Sequence, residues 1–240
     1  MIDKRLRALF DELVSNEGYV SGRRSFPRTL TPDDAVAMTA ELHEELDQAA
    51  EARAHAAARM GKPLACGPGC SGCCEELVMV FQPEVLRVAR WLAHPDNAAV
   101  RQRFLDAYPA WKARVGDAPA ELEVAFIAGD NPAFLAKYRA QWRKRVLCAF
   151  NQDGMCTIYE VRPLVCRNAH AVGTSAHCVG DDPSGRIADR MESKQFDAWF
   201  EQVRGAVRAA HHAIGGAKQR PRSVVEAVYE LVSGATMAPS

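Results

Sequence analysis

The residues whose types and spacing can do chemistry in this chain are its eight cysteines, which fall into two groups. The first group has the spacing Cys-x3-Cys-x2-Cys-Cys, and the second is spread over a longer segment. The groups are Cys66, Cys70, Cys73 and Cys74, and then Cys148, Cys156, Cys166 and Cys178. Thiols in a reducing compartment stay out of disulfides, and their thiolate forms bind metals. We therefore treat all eight cysteines as candidate metal ligands.

The residues between the first four cysteines are Gly, Pro and Ser, which favour a tightly bent loop. Such a loop can turn several thiolates toward one point and direct backbone N–H groups at sulfur. Neighbouring side chains diverge, so we expect Cys73 and Cys74 to face different directions and further ligands to come from the second group. We expect Cys70, Cys73, Cys156 and Cys166 to converge, with Cys74 and Cys178 in a second site or as unligated thiols.

Two kinds of metal fit these spacings. Zinc sites commonly contain two Cys-x2-Cys hooks, whereas this chain has one such hook inside a denser group. Loosely spaced cysteines with nearby arginines suit an iron–sulfur cluster better. The expected cofactor is therefore an iron–sulfur cluster of the 4Fe-4S type, and zinc is the alternative.

Several side chains beside the cysteines can support a metal. Arg162 and Arg167 can offset thiolate charge or donate hydrogen bonds to cluster sulfur, which makes them candidate cofactor-binding residues. The alternative is a structural ion pair with an acid such as Glu160. His170 and His177 flank the last two cysteines, and either can replace a cysteine in a zinc site or have only a supporting role. Tyr159 is expected in the core with its hydroxyl hydrogen-bonded.

The segment from Cys156 to Arg167 reads Cys-Thr-Ile-Tyr-Glu-Val-Arg-Pro-Leu-Val-Cys-Arg. It resembles the signature of the YkgJ-like cysteine-cluster family, described as zinc- or iron-chelating domains, which pairs such a segment with an upstream CxxCxxCC box. The box corresponds to Cys66–Cys74 here. The resemblance implies a metal-chelating domain. Flagellin lysine methylases carry a similar cysteine cluster, so the resemblance also allows methyl transfer.

A second interpretation of the first group is based on spacing alone. Cys66-x3-Cys70-x2-Cys73 matches the spacing of radical S-adenosylmethionine enzymes, in which three cysteines bind a four-iron cluster with one open iron. The aromatic residue usual before the last cysteine is Gly72 here. The rest of the chain predicts helices and few strands rather than repeated strand–helix units, which argues against this class.

The elements that must position the cysteines are predicted to be mainly helical, with at most a small β element around an irregular cysteine-rich core. The motif Thr31-Pro32-Asp33-Asp34 predicts a helix start, and that helix runs to about Met60, where Gly61 can end it. Other helices are predicted over 2–14, 83–94, 97–114, 119–128, 132–147, 190–214 and 221–233. Leu77–Phe81 is either a strand or a buried connector, and a small strand is predicted around Thr157–Tyr159.

These elements suggest three segments. Residues 1–60 form an N-terminal helical segment, and residues 61–180 form the metal-binding core with helices inserted over 83–147. Residues 181–240 supply C-terminal helices that pack on the core.

Charge and hydropathy exclude several classes of protein. Thirty basic and thirty acidic residues cancel, and such a neutral chain is a poor candidate for nucleic-acid binding. No apolar run approaches the roughly 18 residues that predict a membrane span. The first residues lack the apolar core of a signal peptide, so we expect a cytoplasmic protein.

Three functions remain open. The first is a redox, metal-handling or accessory module that serves a protein partner. The second is an enzyme that uses the metal, and the third is a structural zinc protein.

Overall fold

The computed structural model of the chain describes residues 30–67, 69–175, 178, 194–215 and 220–234, together with Ala8. Within these residues the fold is mainly α, as predicted, with two small antiparallel sheets of two strands each. The helices are α1 (Pro32–Arg59), α2 (Gln82–Ala93), α3 (Ala98–Val115), α4 (Ala118–Ile127), α5 (Asn131–Arg143), α6 (Leu164–Arg167), α7 (Lys194–Gly215) and α8 (Val224–Val232). The strands are β1 (Met79–Val80), β2 (Asn151–Gln152), β3 (Met155–Cys156) and β4 (Arg222–Ser223). Short 3-10 turns span Gly72–Glu75, Pro95–Asn97 and Tyr159–Val161.

The start of α1 follows from its first four residues. The hydroxyl of Thr31 accepts a hydrogen bond from the Asp34 N–H at 3.1 Å, and the Asp34 carboxylate accepts one from the Thr31 N–H at 3.1 Å. This reciprocal capping box satisfies two backbone donors, and Pro32 fits the first helical turn. Met60 caps the other end, and Gly61 follows with φ of +75°. The predicted bounds of this helix are confirmed.

Two apolar clusters hold the helices together. The first joins α1 to α7, where Leu42, Leu46 and Val203 are excluded from solvent. The second joins α2, α3, α4, α8 and β1 to the segment after α5, and Phe104 stacks on Phe150 there with ring centroids 4.1 Å apart. Each fully buried large apolar side chain contributes roughly 1.5–3 kcal/mol to stability. The second cluster therefore fixes the segment that carries the second cysteine group.

The segment from Leu77 to Phe81, predicted as either a strand or a connector, contains the strand β1. It pairs antiparallel with β4, and Met79 lies opposite Ser223. This pairing ties the C-terminal part of the chain to the residues that follow the first cysteine group. None of the described helices is long and apolar enough to cross a membrane.

Three sequence predictions need correction. The strand around Thr157–Tyr159 is wrong, because the hairpin lies earlier in the chain, with Asn151 opposite Cys156. Its turn residues, Asp153 and Gly154, have φ of 51° and 79°, and this turn fixes where the strands begin. The helix predicted to 147 ends at Arg143, and Arg145 follows with φ of 52°. The first cysteine group is also less irregular than predicted, since it includes the 3-10 turn Gly72–Glu75.

Two helical predictions fall at the edges of the described chain. The helix predicted over 2–14 lies, apart from Ala8, outside the described residues. The helix predicted over 190–214 is observed as α7. Because α1 and α7 pack on each other, the first and last predicted segments share an apolar cluster.

Candidate metal centre

Backbone hydrogen bonds bring the two cysteine segments side by side. The N–H of Ala65 donates to the Ala171 carbonyl at 2.9 Å, and Leu64 forms an isolated antiparallel bridge with Val172. On the other side of the loop, the N–H of Cys148 donates to the Cys74 carbonyl at 2.7 Å. The first segment is therefore paired with two separate parts of the second. None of the eight cysteines, all of them within the described residues, forms a disulfide.

Four thiols, which we call the inner thiol group, lie close enough to influence one another. They are Cys73, Cys148, Cys156 and Cys166. Burial raises the pKa of Cys166 well above its usual value, and the thiols of Cys148, Cys73 and Cys156 raise it further. Burial likewise raises the pKa of Cys148 to about 12, with added contributions from Cys156 and Cys73. One cysteine of the first segment thus joins three of the second.

The inner thiol group is provided with groups that favour negative charge on sulfur. Backbone hydrogen bonds from Phe150 to Cys148 and from Ile158 to Cys156 lower the pKa of each thiol. Arg162 and, more weakly, Arg167 also lower the pKa of Cys156, although burial keeps it raised overall. Hydrogen bonds to sulfur and nearby cations are the features that stabilise metal-bound thiolates.

Arg167 has a structural role beside the thiols. It is buried, pairs with Asp47 of α1, and donates from Nε to the Arg162 carbonyl at 2.8 Å. It also donates to the carbonyl of Glu160. The ion pair considered from the sequence therefore exists, but its acid is Asp47 rather than the Glu160 carboxylate.

Arg162 is positioned differently from Arg167. Its guanidinium carbon lies 3.7 Å from the centroid of the Tyr159 ring, and Nη2 lies 3.8 Å from Asp47. Its Nε is buried and has no hydrogen-bond partner within the described part of the chain. Tyr159 is 61% exposed, so the prediction that this tyrosine lies in the core is wrong. Arg162 therefore retains a donor that a group bound near Cys156 can use.

The second neighbourhood is a cavity, which we call the thiol cavity. Its lining side chains are Cys66, Cys70, Cys73, Cys178, Glu76 and His170. Burial raises the pKa of Cys66, and the thiols of Cys70, Cys178 and Cys73 add to this effect. The sulfur of Cys66 accepts a hydrogen bond from the Ala171 N–H at 3.1 Å. Cys73 therefore lies between the cavity and the inner thiol group.

His170 is the nitrogen donor of the thiol cavity. Burial lowers its pKa, and Arg162 and Arg53 lower it further, which favours the neutral imidazole. Its Nδ1 is buried without a hydrogen-bond partner among the described residues. A neutral imidazole with a vacant nitrogen is the form that ligates metals. His177, the other histidine considered from the sequence, lies outside the described residues.

Cys178 reaches the thiol cavity because Gly72 has no side chain. A Cβ atom at Gly72 would lie 2.7 Å from the Cβ of Cys178 and 3.1 Å from its carbonyl oxygen, which is closer than such atoms approach. The sequence prediction left Cys178 in a second site or unligated, and the structure places it with Cys66 and Cys70. The spacing of the cysteines alone carries no signal for this contact.

The convergence of Cys70, Cys73, Cys156 and Cys166 on one centre stays a prediction. The thiols of Cys148, Cys73 and Cys156 all act on Cys166, whereas Cys70 lines the thiol cavity. Cys74 contributes its carbonyl to the Cys148 contact. Within the described residues, no three His, Cys, Asp or Glu side chains yet enclose a single metal-ion position. The thiols thus form two neighbourhoods that share Cys73.

Comparison of the chain with protein-family models, curated proteins and solved structures found no match. The resemblance of the Cys156–Arg167 segment to the YkgJ-like family therefore stays a prediction from its motif.

Proposed function

We propose that this chain is a cytoplasmic metal-binding protein with a 4Fe-4S cluster ligated by Cys73, Cys148, Cys156 and Cys166. It acts as a redox, metal-handling or accessory module for a protein partner. The observation that supports this proposal is the position of Cys73, whose thiol raises the pKa of all three others. The ligand set thus draws on both cysteine segments, as the divergence of Cys73 and Cys74 predicts.

The electrostatics of the inner thiol group favour a bound metal. Thiols that are partly buried and mutually repulsive as thiolates hold their protons at neutral pH. A bound cation reverses this preference, because its charge stabilises every thiolate around it and releases the protons. The backbone bonds to Cys148 and Cys156 then serve thiolate sulfur, and the vacant Nε of Arg162 can donate to a sulfur of the cluster.

A zinc ion and a four-iron cluster place different demands on four thiolates. Zinc needs its four ligands around one point, with sulfur about 2.3 Å from the metal. A four-iron cluster binds each cysteine through a different iron, so its thiolates need not meet at one position. The nearby guanidinium of Arg162 and the backbone hydrogen bonds to the sulfurs of Cys148 and Cys156 favour the cluster. When bound, such a cluster supplies one-electron transfer, and the protein side chains set its potential through charge and hydrogen bonds.

A second candidate function is an enzyme that uses the cluster, such as a protein methyltransferase similar to flagellin lysine methylases. It rests on the resemblance of the two cysteine segments to the cysteine cluster of those enzymes. A structural zinc protein is the third candidate. Metal content separates this third candidate from the other two.

The test is metal analysis of the full-length protein purified without oxygen. We expect brown protein with broad visible absorption, containing iron and inorganic sulfide in equal amounts. Cys156→Ala should lose both, whereas the matched variant Cys74→Ala should retain them. Colourless wild-type protein that contains zinc but neither iron nor sulfide would contradict the proposal.

A further inference from the structure

The thiol cavity contains more donors than the proposed cluster uses. Cys73 belongs to the inner thiol group, which leaves Cys66, Cys70 and Cys178 on the cavity wall together with His170. Three thiols and one imidazole make up the Cys3His ligand set of structural zinc sites. We propose that this cavity is a second metal site, in which Cys66, Cys70, Cys178 and His170 bind one zinc ion.

The contacts of His170 support its role as the fourth ligand. The next residue, Ala171, donates its N–H to the Cys66 sulfur at 3.1 Å, so the histidine and one proposed thiolate are held together by the backbone. The carbonyl of Ala171 also accepts a hydrogen bond from the Ala65 N–H at 2.9 Å. The buried Nδ1 of His170, which has no hydrogen-bond partner among the described residues, lacks an interaction that a metal would supply. The imidazole therefore lines the cavity and has a buried Nδ1 that is available to bind a metal.

The contact of Gly72 with Cys178 supports the assignment of Cys178 as the third thiolate ligand. The two residues come from different cysteine segments, and their approach is closer than any side chain at position 72 would permit. Within the described residues the donors line one cavity without enclosing an ion position, so zinc binding has to draw their side chains together.

The size of the space agrees with a single ion. The cavity volume is about 30 Å³, and holding one water takes roughly 10–15 Å³ measured in the same way. A zinc ion fits such a space more readily than a second cluster of eight atoms. The inner group and the cavity would then hold different metals, with Cys74 left out of both sites.

The experiment measures zinc per chain and zinc affinity, by competition with a chromophoric chelator, on full-length protein purified without oxygen. We expect one zinc per wild-type chain and at least a tenfold loss of affinity in His170→Ala. His170→Cys should restore binding, because a fourth thiolate replaces the imidazole. The matched control is His55→Ala, since this histidine is exposed on α1 and does not line the cavity. Wild-type zinc affinity in His170→Ala would overturn the proposal, as would wild-type protein that contains no zinc.

The same measurements separate this site from the proposed cluster. Cys156→Ala should lose iron and sulfide but keep its zinc, and His170→Ala should lose zinc but keep its iron. If His170→Ala lost zinc while wild-type protein contained no iron, the zinc site would stand and the cluster would fail. If His170→Cys folded as the wild type, judged by circular dichroism, yet bound no zinc, the cavity assignment would fail independently of the cluster.

Discussion

The inner thiol group and the thiol cavity differ in what holds them in place. Cys148 and Cys156 pack against the larger apolar cluster, and Cys166 lies on a helix anchored to α1 and α2 by hydrogen bonds and an ion pair. Cys66 and Cys70, in contrast, lie on a loop rich in glycine that is held mainly by backbone pairing. The comparison indicates that the core of the protein positions the inner group, whereas the proposed zinc ion would fix the final geometry of the cavity. A change at the inner group should therefore spread farther through the fold.

The largest expected effect is loss of the inner metal. In Cys166→Ser, or after chelation of the metal, the free energy of unfolding should fall by up to about 10 kcal/mol, because metal binding contributes directly to folding at cysteine-rich sites. Hydrogen exchange should accelerate together over residues 61–82 and 148–175. Cys74→Ala is the control and should change neither quantity. Unchanged exchange in both segments after metal removal would contradict the comparison.

The next effect concerns the ion pair that holds the helix of Cys166. Arg167 is buried and pairs with Asp47, which is 46% exposed. Arg167→Met should lower the free energy of unfolding by about 2–3 kcal/mol, because it removes the hydrogen bonds that the buried guanidinium donates to the carbonyls of Arg162 and Glu160 as well as its contact with Asp47. Chemical denaturation of Arg167→Met, Asp47→Ala and the double variant measures the coupling energy. Additive effects of the two single changes would show that the pair does not hold this helix.

A smaller effect is expected at the cavity. Gly72→Ala places a Cβ against the backbone and Cβ of Cys178, so one segment must shift. We expect a loss of about 1–3 kcal/mol in the free energy of unfolding, together with weaker zinc binding and unchanged iron content. Gly67→Ala in the same loop is the matched control, because a Cβ at Gly67 meets no atom within 4 Å. If both variants bound zinc equally well, the contact between Gly72 and Cys178 would not shape the site.

The smallest effect is a dependence of the unfolding free energy on pH, caused by a carboxyl group that contacts the helix of Cys166. Glu84 of α2 accepts the N–H of Leu164 at 2.9 Å at the start of the helix that carries Cys166. Burial raises the pKa of Glu84 from 4.5 to about 6. Its favourable contribution is therefore fully present below about pH 4.5 and is lost as the pH rises through about 6.

Relative to Glu84→Gln, wild-type protein should lose about 1 kcal/mol of unfolding free energy between pH 5 and pH 7. Denaturation of both proteins at the two pH values measures this difference. Glu51→Gln, at an exposed position on α1, is the control and should show no such trend. A difference of the opposite sign would mean that the carboxylate is stabilised in the folded protein.

The helices were predictable from local sequence. The division of the cysteines between the inner thiol group and the thiol cavity was not. Thr31, Asp34 and Pro32 define the start of α1 by contacts within four residues, and the prediction of that helix is confirmed. The strand at Thr157–Tyr159 was wrong because β-branched residues indicate an extended chain without indicating its register, which the turn at Asp153 and Gly154 sets.

The assignment of single cysteines depends on contacts between distant segments. Thiols of both segments line the thiol cavity, and the prediction from the divergence of Cys73 and Cys74 that they share a metal stays a prediction. That divergence carried no information on which thiols would lie together. It could not predict that Cys70 would join Cys178, because that outcome depends on the approach of Cys178 to Gly72 across the fold. The predicted segments and the cytoplasmic location stay predictions.

The central claim is that thiols from both cysteine segments bind one metal centre, and thiol protection tests it most directly. Protein purified without oxygen is alkylated under native conditions, and the modified cysteines are identified by peptide mass spectrometry. We predict that Cys73, Cys148 and Cys166 are protected in the wild type and become reactive together in Cys156→Ala. The contradicting result is that Cys148 and Cys166 become reactive in this variant while Cys73 stays protected. That result would show that each segment binds its own metal.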